Sequence, residues 1–117
     1  MAATAITNTV LVRNTVATFP ATAASDATDG VLITCDKDDQ KMLIIIENVD
    51  ASNAETVTIL KGNGLQGVSN LAVSVPASSM RCVVVESGRF KNVSGTLKGK
   101  IKITGTADVK IACVVLP

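Results

Sequence analysis

Three groups of residues have types and spacings that could do chemistry. Gly62, Gly64 and Gly67 in "KGNGLQGV" spell G-x-G-x-x-G directly after the strand-like "ETVTIL", the fingerprint of a dinucleotide-binding loop. Asp36, Asp38 and Asp39 in "CDKDDQK", and Asp50, Asn53 and Glu55 in "DASNAE", offer the oxygen ligands a calcium ion takes. Cys35, Cys82 and Cys113 supply thiols. Each group misses a requirement of its chemistry. A dinucleotide loop must open a helix, whose N-terminal amides hold the pyrophosphate. Here "VSNLAVSVP" follows Gly67, β-branched, alternating and ended by Pro76. Glu86 stands where the ribose-binding acid would be sought, but in a strand-like run, and no G-K-[ST] completes a P-loop. The first acidic loop lacks the Gly and the terminal Glu of an EF-hand. Both acidic segments therefore read as solvated turns, with calcium possible only if the two loops meet in space. Three cysteines without C-x-x-C spacing form neither a zinc site nor a disulfide framework. Their settings, "LITC", "RCVVV" and "IACVV", predict small buried hydrophobes, a usage that suits a reducing compartment.

Composition narrows the function further. The chain has no His, so the usual general base, the usual neutral-pH metal ligand and every His-dependent triad are missing. No Ser/Lys dyad or paired carboxylates in an apolar setting stand out. The expectation is a protein that is not an enzyme and carries no cofactor. Eleven basic and ten acidic residues give a net charge of +1, too little to attract nucleic acid or acidic lipid over distance. With no Trp, no Tyr and two Phe, the stacking surfaces of single-strand binders and sugar sites are gone as well. Apolar residues make up 47% of the chain, yet the longest runs, "MLIII" and "CVVV", have strand length, far short of the ~18 residues of a membrane helix. That much apolar surface needs cover, and self-association is the simplest. The N-terminus has neither a basic region nor an apolar core, so it does not read as a secretory signal.

The elements that must position these residues are strands. Val, Ile and Thr account for about a third of the chain, the composition of a pleated, half-buried surface. Strands are predicted over 5–13, 30–35, 41–48, 55–61, 70–75, 80–87, 99–105 and 107–117, with 88–93 a short continuation. "KMLIIIEN" is nearly continuous apolar and reads as a central strand buried on both faces. "MRCVVVES" is a second central candidate. In "ETVTILK" Val57 and Ile59 share one face and Thr56 and Thr58 the other. "GKIKITG" places Ile101 and Ile103 inward and Lys100 and Lys102 outward. The separators carry turn chemistry, with "TGTAD" tight enough for a hairpin between the last two strands. The glycine loop itself reads as a connection with several glycines at positive φ. Residues 15–30, Ala/Thr-rich and broken by Pro20, read as a long extended arm with room for one helical turn. The fold class is all-β: a single-domain antiparallel β-sandwich, jelly-roll-like, with eight or nine short strands. Residues 1–29 form its N-terminal strand and arm, and 30–117 its core.

The C-terminal two-thirds resembles small virion proteins of tailed bacteriophages, of the head-decoration (capsid cement) or head-fibre class. The resemblance covers roughly residues 40–117. It rests on the "IEN" strand end, the "TVTI-KG-G-QG" hairpin, the "VPA" turn, "ESGRFK" and the terminal "VKIA-V-LP" strand. It implies a non-enzymatic β-sandwich, often a homotrimer, on the outer surface of an icosahedral capsid. There it would clamp the major capsid protein and other copies of itself against internal DNA pressure. Such a protein is made in the bacterial host cytoplasm and touches neither nucleic acid nor membrane. Another virion component (head-fibre base, tail or adaptor protein) and a non-catalytic surface-binding module are the alternatives.

On these readings the candidate protein contacts are Leu65 and Gln66 at the tip of the glycine loop, Phe19 and Pro20 in the arm, and Arg89 and Lys91 in "ESGRFK". Acids concentrate before residue 56 and bases in the C-terminal third, so charge pairing between neighbouring copies is a further expectation.

Overall fold

The structure, a computed structural model, describes residues 4–18, 22–24, 30–35, 39–106 and 108–117. Ten strands lie among them: β1 Thr4–Ile6, β2 Thr9–Val10, β3 Ala23–Ala24, β4 Val31–Thr34, β5 Met42–Asn48, β6 Glu55–Ile59, β7 Leu71–Val75, β8 Met80–Val83, β9 Lys100–Thr104 and β10 Val109–Val115. One helical turn, α1 Ser87–Phe90, and a 3-10 turn at Asp39–Lys41 complete the set. The all-β expectation is met.

The strands form two sheets. One has the order β1-β4-β9-β6-β7; the other has the order β2-β10-β5-β8, with β3 also paired to β10. One apolar cluster draws on both, joining Val31, Ile33, Val57, Ile59, Ile101 and Ile103 of the first to Ile44, Ile46, Val109, Ile111 and Cys113 of the second. Period-two alternation drives this. Val57 and Ile59 are fully buried while Thr56 and Thr58 face outward, and Ile101 and Ile103 are inside with Lys100 and Lys102 outside.

Both sheets are mixed, where the sequence predicts antiparallel pairing throughout. β1 runs parallel to β4 and β2 parallel to β10. The segment 5–13, expected as one strand, divides at Thr7–Asn8 and sends its halves to different sheets. A parallel pair needs a long return connection, and residues 7–30 provide one between β1 and β4. The expected arm is therefore anchored at both ends, and its stretch 12–18 is exposed.

Three further expectations are corrected. The turn 104–108 does not close a hairpin: β9 belongs to the first sheet and β10 to the second, so the chain crosses between sheets there. The stretch 88–93 does not continue a strand. The β-branched run stops at Val85, the Lys91 amide donates to the Ser87 carbonyl at 2.8 Å, and the resulting turn buries Phe90. Nor is β8 central; it is the outer edge of its sheet, with Met80, Arg81 and Cys82 exposed. Cys82 accordingly departs from the buried-thiol expectation that Cys35 and Cys113 meet.

Gly30 stands before β4 with φ +63, buried, at a point where any Cβ would strike the Ile103 carbonyl. Its own carbonyl accepts the Thr4 amide at 3.1 Å. Only glycine meets both demands, the left-handed backbone and the close approach of the neighbouring strand.

Candidate functional site

The glycine loop connects β6 to β7, which pair antiparallel from Glu55 opposite Val75 to Ile59 opposite Leu71. A strand, not a helix, follows Gly67, so the loop opens no helix and the dinucleotide reading has no structural support. The expectation of positive φ is also corrected: among the described residues positive-φ glycines are Gly30, Gly95 and Gly99. Gly62 and Gly67 are needed for close approach instead. A Cβ on Gly62 would meet the Lys91 carbonyl, and one on Gly67 would meet the Gly62 carbonyl.

This packing makes the loop a braced projection. At its base the Lys61 amide donates to Asn70 Oδ1 at 2.8 Å, closing the loop's two ends. The Gly62 amide donates to the Arg89 carbonyl at 2.8 Å. Asn63 spans to the 93–94 segment: its Nδ2 donates to the Ser94 carbonyl at 3.0 Å and its Oδ1 accepts the Val93 amide at 2.8 Å. From the other side the Arg89 guanidinium donates to the Ser69 carbonyl (3.2 Å), Ser69 Oγ (2.8 Å) and the Asn70 carbonyl (3.4 Å), and its Cζ lies 4.8 Å from the Phe90 ring centroid.

Leu65 occupies the apex and is fully exposed; Val68 of the same loop and Val93, whose side chain lies near Gly64, are exposed as well. Gln66 lies over Gly88. Four of the six candidate contacts thus gather in one region, with different parts to play. Leu65 and Gln66 are presented outward, whereas Arg89 and the Lys91 backbone are engaged in supporting the loop from below. Phe19 and Pro20 lie outside the described residues.

Next to the loop an open groove of about 530 Å³ is lined by Gln40, Gln66, Val84, Val85, Glu86 and Gly88. Glu86 is the one titratable group among the described residues of that lining.

Asp36 and Asp38 lie outside the described residues. Asp50 and Glu55 instead come together with Asp108, from the β9–β10 connection, their carboxylate oxygens within 4.8 Å of one another. Hard oxygens in this number could contribute to a calcium site, but Asp50 is already in use. Its Oδ1 accepts the Ser52 amide at 2.8 Å and the Asn53 amide at 3.1 Å, and these bonds hold its pKa below the ordinary aspartate value. Glu55 Oε1 accepts from Thr106 Oγ1 at 3.2 Å. The trio sits where the β5–β6 and β9–β10 connections meet.

Beneath it lies a residue the sequence reading passed over. Asn48, at the end of β5, is buried, with its Nδ2 directed at the carbonyls of Asn53 (2.9 Å), Val75 (3.1 Å) and Pro76 (3.3 Å) and its Oδ1 accepting the Asp50 amide at 2.9 Å. It fastens the second sheet to the end of β7 in the first. Asn63, Asn70 and Asn48 share a signal the sequence did carry, an asparagine at the edge of a turn segment, where its side chain reaches nearby backbone. No family model, curated protein or solved structure matches the chain.

Proposed function

We propose that this chain is a structural protein of a tailed-phage virion, a jelly-roll-like β-sandwich that decorates the outer surface of an icosahedral capsid and stabilises it through protein–protein contacts. The observation that carries the reading is the apolar apex of the glycine loop. Leu65 is fully exposed on a loop braced by Asn63, Asn70 and Arg89. A contact residue held in place before binding loses less conformational entropy when it docks. Val68 in the same loop and Val93 near Gly64 are exposed apolar side chains too. The resemblance of residues 40–117 to head-decoration proteins supplies the partner, the major capsid protein. Without His, Trp or Tyr, the composition favours surface complementarity over chemistry or glycan stacking.

The test is co-sedimentation with expanded capsid shells. Wild-type protein is expected to pellet with the shells. Leu65→Asp is expected to weaken binding at least about tenfold, because a carboxylate replaces a side chain worth about 1.5–3 kcal/mol when buried, while the thermal midpoint stays unchanged. A folded wild-type protein that ignores the shells would remove the reading. Binding unaffected by Leu65→Asp would move the contact away from this loop.

A further inference from the structure

The three glycines of the β6–β7 loop are not equally bound to their places. A Cβ on Gly62 or on Gly67 would strike a backbone carbonyl. On Gly64 it would meet the Val93 methyl groups at 3.4 and 3.6 Å, which is ordinary contact, and the Gly64 φ is not positive. The fold therefore does not require glycine at 64. Its neighbour gives the position another meaning. Asn63 is the one asparagine of seven that a glycine follows; the other six precede Thr, Val, Ala or Leu, whose side chains crowd the amide that comes next. Without a Cβ beside it, the Gly64 nitrogen is free to approach the side-chain carbonyl of the residue before it. Asn63 is exposed, so water and hydroxide reach it, and the Gly64 amide donates to no acceptor among the described residues.

We propose that Asn63–Gly64 is a self-modification site, a deamidation that removes one brace of the loop. A base takes the Gly64 amide proton and the nitrogen attacks Asn63 Cγ. The Cγ–Nδ2 bond breaks, ammonia leaves, and a five-membered imide closes. Water then opens the imide at either of its two carbonyls, leaving an aspartyl or an isoaspartyl residue at position 63. Water enters, ammonia departs, and nothing is oxidised or reduced. The folded loop restrains the reaction. Asn63 Oδ1 accepts the Val93 amide at 2.8 Å and Nδ2 donates to the Ser94 carbonyl at 3.0 Å. Forming the imide pulls Cγ onto Gly64 and Nδ2 off Ser94, so these bonds must open first. With two hydrogen bonds to lose, the folded chain reacts about tenfold or more slowly than the unfolded one. The product cannot rebuild the brace. An oxygen replaces the donor that faced the Ser94 carbonyl, and the isoaspartyl form also lengthens the main chain by one carbon. The bonds at the base, Lys61 to Asn70 and Gly62 to Arg89, are untouched. Leu65 stays at the tip but is held less firmly, so its docking loses more conformational entropy. That last consequence alone rests on the reading of Leu65 as a contact.

The test follows the full chain by intact mass and peptide mapping during incubation in mildly alkaline buffer. Conversion is expected first in the peptide holding Asn63, at a rate that rises with pH because the Gly64 amide must lose its proton. Unfolding in urea is expected to speed it about tenfold or more. Gly64→Ala, whose added Cβ the Val93 contact tolerates, is expected to fold and to convert severalfold more slowly. Should that variant fail to fold, comparing it with wild type in urea reads the same effect without a fold. Earlier conversion at another asparagine, an unchanged rate in Gly64→Ala, or a folded chain that reacts as fast as the unfolded one would each overturn the proposal. The converted protein carries one more negative charge and separates by ion exchange. It is expected to bind expanded shells severalfold more weakly than the unconverted fraction. Equal binding of the two fractions would overturn the docking consequence, while conversion mapped to Asn63 would still uphold the site.

Discussion

Asn48 and Asp50 show how one short segment divides its work between a buried amide and a carboxylate at the surface. Replacing Asn48 with Ala strands the Asp50 amide and the Val75 carbonyl in a largely buried setting. The expected cost is about 2 kcal/mol or more, measured by urea denaturation. Asp50 acts through charge. Its pKa in the folded chain lies below the ordinary value of 3.8, so the stability it contributes is fully present above that value and is lost as the pH falls through the lowered one. Thermal midpoints of wild type and Asp50→Asn should therefore differ by a constant amount above about pH 5 and converge toward about pH 2. A difference that persists unchanged through the acid range would assign the role to hydrogen-bond geometry alone. Little of this was legible beforehand. "NVDASNAE" announces a turn through its Asp and Asn residues, but not that the Asn48 side chain points inward at the ends of another sheet. The glycine loop is the same lesson in a different residue. Its spelling is visible in the sequence, whereas the reason for Gly62 is a carbonyl at Lys91, about thirty positions on, brought near only by α1.

At the level of elements, strands whose two faces differ were the ones read well. β6 and β9 alternate Ile and Val with Thr and Lys, and their inward sets are the buried ones. Apolar content alone could not rank β5 against β8: both are rich in Val, Ile or Met, yet β5 lies between two neighbours and β8 at the rim. Which strand is central depends on pairing order, and pairing order is set by contacts distant in sequence. The N-terminal segment makes the point experimentally. Its ends are structural, with Ile6 in the core and Ala23–Ala24 paired to β10, while 12–18 are exposed. Deleting residues 1–24 should abolish folding and assembly together, read by circular dichroism and shell binding. Replacing 12–18 with Gly and Ser should leave stability within about 0.5 kcal/mol. A folded protein after the larger deletion would make the segment a detachable arm after all.

For the whole molecule, the two sheets are interleaved in the chain. β4, β6, β7 and β9 belong to one, β5, β8 and β10 to the other, so the path crosses between layers repeatedly. Most pairings therefore join distant parts of the sequence, and refolding is expected to be slow for the size, on the order of milliseconds to seconds by stopped-flow fluorescence of an introduced probe. Microsecond refolding would contradict that topology. β10 adds a matter of timing. It holds β2, β3 and β5, all of which lie before residue 49, and it is synthesised after every one of them. Until residues 109–115 leave the ribosome, β5 has no neighbour on that side. A chain interrupted before Val109 thus lacks the strand that three others pair with, and translation through β10 becomes a checkpoint on folding.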